Sequence, residues 1–295
     1  VDLSIVVVSL SRAEVLARCL PPLLAQAAGA GAEVWLVRQP SDDPAVAALR
    51  RDHPQVSWLD AAPGDNVPRM RAAAMRLARG RVVALLEDDC TVAEGWCHGV
   101  QAAHLEDPPV VGGPIEPDSY PRALDWAVFL CEYARFLPPL QGEVLALPGN
   151  NVSYRRSLVL RWLEEHGDDG FREAFAHEDW RGQGMPLLAD PGMRVRNVNR
   201  WTVDTATRSA YHHGRAFAGQ RFRGRPSRRL LYAAGSALLP VLKTARVAGE
   251  VLSRGRGAGS LLRALPWIIV FHTSWACGEW MGYLFGPGAS ADRWQ

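Results

Sequence analysis

The sequence has no closely spaced cysteine pair, no glycine-rich loop near its start and no apolar run long enough to cross a bilayer. Each absence excludes a class of protein. The five cysteines, Cys19, Cys90, Cys97, Cys131 and Cys277, are an odd number without the short spacings of zinc or dithiol redox sites; they read as reduced thiols of a cytosolic domain. The turn Ser9-Leu10-Ser11-Arg12 holds no glycine, which disfavours a phosphate-cradling loop there and, with it, a nucleotidyltransferase. The apolar run Ile5-Val6-Val7-Val8 is short and has no basic flank before it, so no signal peptide is read; the missing initiator Met leaves a trimmed start open. Two apolar stretches, 230–242 and 264–278, fall short of the about 20 residues a spanning helix needs. No internal repeat and no nucleic-acid-binding motif is visible.

What is present is an ordinary globular balance: 295 residues, 48% hydrophobic, 22% charged and a formal net charge of +2. That length buries a sizeable core and suggests one large domain with an appendage, or two domains. The first two hundred residues alternate short apolar runs with amphipathic stretches, the pattern of strands and helices around a mostly parallel sheet. Strands are expected at 4–8, 33–37, 55–59 and 82–86. A capping box, Ser11-Arg12-Ala13-Glu14, opens the first helix, Asp43-Pro44 the second, and Asn66 with Pro68 a third that Gly80 stops. Further helices are expected near 94–105, 122–136 and 155–165, with a strand at 145–147 entering the Gly149-Asn150 turn.

The fourth strand ends on Glu87-Asp88-Asp89. Ligands of open α/β sheets collect at the carboxyl ends of strands, and adjacent acids repel unless a cation neutralises them. A solvated acidic turn is the plain alternative. If a cation binds, carboxylates select a hard one, Mg2+ or Mn2+, which also takes phosphate oxygens. A second acidic pair, Glu178-Asp179, reads either as a cap for a helix near Trp180 or as chemistry.

Several blocks in order resemble family 2 glycosyltransferases, inverting enzymes of the GT-A fold (Rossmann-like, nucleotide-diphospho-sugar transferase). Residues 4–12 are similar to the family's opening strand and turn, 16–26 to its first helix, and 71–80 to a helix ending Ala-x-Gly. Glu87-Asp88-Asp89 falls where the family has Asp-x-Asp, Gly149-Asn150-Asn151 with Arg155-Arg156 resembles its acceptor-side segment, and His177-Glu178-Asp179-Trp180 its Glu-Asp motif. The resemblance implies Asp179 as general base assisted by Glu178, donor contacts from Ser9, Arg71, Glu87 and Asp88, acceptor contacts from Asn150, Asn151 and Trp180, and metal ligation by Asp89 with His212 or, by preference, His213. For Arg71 an exposed helical arginine is the competing reading, and for the histidines a polar helix face. The family's usual Asp after its second strand is replaced by Arg38-Gln39, with Asp42 or Asp43 as candidates to compensate; a donor-only arginine cannot accept from a base N–H.

Beyond about residue 205 arginines crowd together (Arg215, Arg221, Arg223, Arg225, Arg228, Arg229) before the two apolar stretches. A helical, membrane-associating region at 205–295 is expected, peripheral or re-entrant at the cytoplasmic face, with Trp267, Trp275 and Trp280 at headgroup depth. A plain helical subdomain is the alternative. The domain expected at 1–204 divides into a nucleotide-sugar half to about 110 and an acceptor half after it. The expected function is metal-dependent transfer from a nucleotide-sugar donor to a glycan or lipid-linked acceptor, with no nucleic-acid partner; the alternatives are an inactive membrane-bound sensor or scaffold and a nucleotidyltransferase.

Overall fold

The computed structural model describes residues 2–10, 12–166, 170–198, 201–221, 228–255 and 257–293. In chain order the elements are β1 (Leu3–Ser9), α1 (Ala13–Gly29), β2 (Glu33–Arg38), α2 (Pro44–Asp52), β3 (Ser57–Asp60), α3 (Val67–Leu77), β4 (Val82–Glu87), β5 (Cys90–Val92), α4 (Trp96–Ala103), β6 (Val110–Gly112), β7 (Ile115–Pro117), α5 (Ala123–Tyr133), β8 (Gly142–Glu143), β9 (Asn151–Arg155), α6 (Arg156–His166), α7 (Glu173–Gly182), β10 (Leu188–Ala189), β11 (Val195–Asn197), α8 (Val203–Arg221), α9 (Arg229–Gly235), α10 (Leu239–Ser253) and α11 (Ala258–Phe285). They form two compact units, Val1–Asp118 with Pro138–Val198, and Ser119–Leu137 with Asn199–Gln295. The second takes residues 119–137, which the sequence pattern assigns to the first.

The first unit is built on a sheet ordered β3-β2-β1-β4-β9-β6-β10-β8. Strands β3, β2, β1 and β4 are parallel, whereas β9 runs antiparallel to both β4 and β6, so the sheet is mixed. All seven residues of β1 are buried, which is why its β-branched run shows no alternation: helices cover both faces. Each fully buried Val or Ile there contributes about 1.5–3 kcal/mol. A smaller sheet, β5-β11-β7, adjoins it.

Two of the expected helix starts form as read. Asp43 accepts from the Ala45 N–H at 2.8 Å with Pro44 behind it, and Asn66 accepts from the Arg69 N–H at 3.2 Å. Helix α1 begins one residue later than its capping box implies, with Arg12 at the cap and no side-chain bond; Ser11 lies outside the described residues. The strand expected before Gly149-Asn150 forms after that turn, as β9, where 151–155 pair with both β4 and β6 and are buried from Asn151 to Tyr154, the alternating polar Asn151 and Ser153 included.

In the second unit α11 packs along α8 at a close crossing. A Cβ on Gly278 would stand 2.0 Å from the Tyr211 carbonyl oxygen, and one on Gly282 2.4 Å from that of Arg215; only glycine admits this approach. Arg223 and Arg225 lie outside the described residues. The stretch 230–242 is broken into α9, a 3-10 turn and α10. Among the described residues no helix is long and apolar enough to cross a membrane. Trp280 is 48% exposed, but Trp275 turns inward, its indole N–H donating to Glu279 at 2.5 Å, so it is not available at headgroup depth as expected.

Candidate active site

The parallel registers Ser9↔Arg38 and Val8↔Glu87 bring the ends of β1, β2 and β4 to one edge of the sheet. There the Ser9 hydroxyl donates to Asp88 at 2.7 Å, and Arg38 approaches the same hydroxyl at 3.4 Å. Because β9 is antiparallel to β4, with Leu86 opposite Asn151, the Gly149-Asn150 turn that feeds it arrives at this edge too. The Asn150 amide lies 3.3 Å from the Cys90 sulfur.

Asp89 is fixed by β11, which pairs with β5 so that Asn197 faces Cys90. The Asn197 amide donates to Asp89 Oδ2 at 2.8 Å, and the Val198 N–H donates to its backbone carbonyl at 2.7 Å. Burial drives the Asp89 carboxyl well above its usual range, and the Glu87 and Asp88 charges push it further; the Asn197 and Cys90 hydrogen bonds only partly offset this. A carboxylate held in that state gains most from a cation. The oxygen donors suit Mg2+ or Mn2+, which commonly use one or two carboxylates and complete their shell with phosphate and water. That requirement is met although, among the described residues, no three His, Cys, Asp or Glu side chains already surround one point.

Arg71, 5% exposed on α3, is clasped between two acids. It donates to Glu87 at 2.7 Å and, on its other side, to Glu173. Burial opposes its charge, but Glu173 and Glu87 outweigh that and hold it protonated. Its charge is therefore already paired, where the sequence reading offered it to the diphosphate or to solvent. Burial likewise raises Glu87, against the pull of Arg71. The pairing depends on Gly170: its φ is +78°, its Cβ would stand 2.4 Å from the Pro68 carbonyl carbon, and the next N–H, of Phe171, donates to Pro68 at 2.8 Å. This clip sets the start of α7 against the start of α3.

Glu178 and Asp179 occupy the last turn of α7. The capping alternative is thereby removed, since helix N-caps lie at the opposite end and the C-terminal dipole disfavours negative charge. Asp179 is about half exposed, accepts from the Trp162 indole at 3.1 Å and has His166 at 3.9 Å. It opens on a polar recess of about 400 Å³ between α6 and α7. Its hydrogen-bond partners are thus on α6, not in the Glu87–Asp89 cluster. Trp180 is 2% exposed among Tyr154, Phe171 and His177, so it anchors α7 and presents no face to an acceptor. Asn151 is also internal: it accepts from Trp96 at 2.9 Å and donates to the Met193 and Pro114 carbonyls at 2.6 and 3.2 Å, a structural pin where an acceptor contact was expected. His213 lies on α8 in the second unit, edge-on to Trp275 with centroids 6.2 Å apart. Of the candidates to replace the absent Asp after β2, Asp43 is engaged as a helix cap.

Glu173 and Asn197 carry no signal in the sequence. Glu173 reads there as an ordinary acid opening a helix, and Asn197 sits in a three-residue strand with no periodic signal.

The Rossmann-like mixed sheet is shared with a solved glycosyltransferase. A mannosyltransferase from Pyrobaculum calidifontis, solved in complex with GDP-Man and Mn2+, matches 94% of this chain and 86% of its own at a TM-score of 0.57 and 16% identity. GalNAc-T7, solved with UDP, GalNAc and Mn2+, matches 68% of this chain and 45% of its own at a TM-score of 0.48 and 17% identity. The fold is GT-A-like. The family profile described as glycosyl transferase family 2 matches residues 4–162, more than half of the chain, and the chain belongs to that family. No curated protein matches it.

Proposed function

We propose that this glycosyltransferase moves a sugar, with inversion, from a nucleotide-sugar donor to a hydroxyl of a lipid-linked or polysaccharide acceptor, using Mn2+ or Mg2+. The observation that carries this is the buried carboxylate edge at the end of β4, where Asn197 fixes Asp89 beside Glu87 and Asp88 and, among the described residues, no ion pair is made to Asp89. Asp89 is the proposed protein ligand, and the bound cation would neutralise charge on the departing diphosphate; His213 belongs to the second unit, on the wall of a separate cavity. Ser9 and Asp88 face the donor's ribose or sugar. Asn150, at the same edge, faces the acceptor side.

Arg38 takes the donor's base. Its Nε is buried and, among the described residues, without a hydrogen-bond partner, and a donor-only guanidinium suits a base edge rich in acceptors. Asp179 acts as the general base, because inverting attack needs a carboxylate that solvent and acceptor can reach, and Glu178 stands next to it.

The helical unit supports a peripheral membrane reading: Leu230, Leu231, Leu238, Val241 and Leu242 are 59–75% exposed, and no Asp or Glu occurs between Asp204 and Glu250. An apolar surface within a basic field suits an anionic bilayer.

The deciding experiment is a panel of nucleotide sugars, beginning with GDP-mannose and UDP-sugars, assayed for hydrolysis and transfer with Mn2+ and with chelator. Metal-dependent turnover of one donor is the expected result. Binding without any turnover would make the protein a sensor and overturn the enzymatic reading.

A further inference from the structure

The second unit contains a cavity that the proposed transfer does not use. It measures about 80 Å³, opens to solvent, and lies between α5, α8, α10 and α11. Trp201, Phe271 and Trp275 supply aromatic walls, and Ser209, His272 and Lys243 supply polar groups. Lys243 is the one lysine among 33 basic residues of the chain. Its ammonium stands 3.8 Å from the centroid of the Trp275 ring, and no ion pair to a carboxylate is made by it among the described residues. Glu279, the acid whose charge acts on it most, is held instead by the Trp275 indole and, at 2.8 Å, by the Tyr283 hydroxyl. Glu132 is the acid on the cavity wall; Arg135 and Arg246 add positive field.

The segments leading into Lys243 carry an unpartnered apolar stripe. Leu230, Leu231, Leu238, Val241 and Leu242 recur through α9 and the start of α10, all strongly exposed, and the last of them directly precedes Lys243 in the chain. A soluble anion would account for the lysine and not for the stripe. A featureless bilayer contact would account for the stripe and not for the cavity.

We propose that the helical unit is a binding site for the phosphate group of an amphiphilic lipid, the phosphate seated at Lys243 in the cavity and the hydrocarbon lying along the α9–α10 stripe. This rests on the membrane reading above for the origin of the ligand, not for the chemistry of the cavity. Burial holds the Lys243 ammonium below its ordinary pKa, so an arriving anion restores the stability of its charged form.

A single lysine makes the test site-specific. Reductive methylation with carbon-13 formaldehyde, which keeps the charge, labels Lys243 and otherwise only the chain's amino terminus. The labelled protein is titrated below micelle concentration with dihexanoyl phosphatidic acid, dihexanoyl phosphatidylcholine and inorganic phosphate. Phosphatidic acid is expected to shift the Lys243 resonance saturably, and phosphatidylcholine to leave it. Lys243→Met should weaken phosphatidic acid binding about tenfold or more, the loss of one charge-assisted contact, while Lys243→Arg retains most of it.

No shift with phosphatidic acid, or an equal shift with phosphatidylcholine, overturns the proposal. Inorganic phosphate binding as tightly as the lipid overturns its amphiphile half. Sedimentation with phosphatidylcholine vesicles, with and without phosphatidic acid, separates the two readings: loss of vesicle binding with the Lys243 shift intact sinks only the membrane reading, and vesicle binding with no shift sinks only the cavity site.

Discussion

Replacing Arg71 by Met tests whether the donor edge is held together by charge pairing. The Arg71 side chain is 6% exposed, and its partners Glu87 and Glu173 are 28% and 26% exposed. Removing one member of a fully buried pair costs about 3–5 kcal/mol, because the remaining charge is stranded. Here two carboxylates are stranded, but water reaches about a quarter of each, so the expected loss is about 2–3 kcal/mol. For a unit of this size that is a fall of about 5–10 °C in Tm. The sharper measurement is the triple variant Arg71→Met, Glu87→Gln, Glu173→Gln. Once every charge is removed together, most of the loss should return, since a buried ion network and a neutral replacement of similar volume differ little. Calorimetry on the wild type, the single and the triple variant supplies the comparison. If Arg71→Met costs less than about 0.5 kcal/mol, or the triple variant melts no higher than the single, the clasp is not what orders this edge.

The other predictions concern the chemistry and the helical packing. Asp179→Asn should reduce transfer by about a hundredfold or more while donor affinity stays near wild type; near-normal turnover in a coupled assay removes Asp179 as base. Saturating Mn2+ at a hundredfold over its Kd should stabilise the wild type by about 2.7 kcal/mol, read as a rise in Tm that Asp89→Asn abolishes. Gly278→Val places a side chain against the Tyr211 carbonyl and should destabilise the second unit by more than about 2 kcal/mol, measured by urea unfolding; a neutral result means the α8–α11 crossing is looser than described.

The elements of the donor half are written locally. The β1 run, the caps Asp43 and Asn66 and the acidic end of β4 each carry their own signal, because burial on both faces, a cap and a strand end are short-range facts. The acceptor half is not local. Asn151 and Trp180 look from their motifs like contacts for a ligand, yet tertiary packing takes both inside, one to satisfy three polar partners and the other to fill an aromatic cluster. Glu173 has no signal until Gly170 bends the chain so that it meets Arg71. The helix position of Glu178-Asp179 was misjudged for a related reason: α7 begins seven residues before Trp180, at an acid that closes a contact from elsewhere in the chain.

That helix has two chemically active ends. Glu173 at its start is tied through Arg71 to Glu87 in the cation cluster, and Asp179 lies six residues later, about 9 Å along the axis. A rigid rod with one end fastened to the Glu87–Asp89 edge and the other bearing the proposed base would act as a gauge: any cation or diphosphate that draws Glu87 away from Arg71 would change the tension at Glu173 and so the set of Asp179. The enzyme would then sense donor arrival mechanically before the acceptor enters, giving an ordered sequence with the donor first. Product-inhibition patterns in the wild type and in Glu173→Gln read this directly, with the order expected to relax toward random once the fastening is cut.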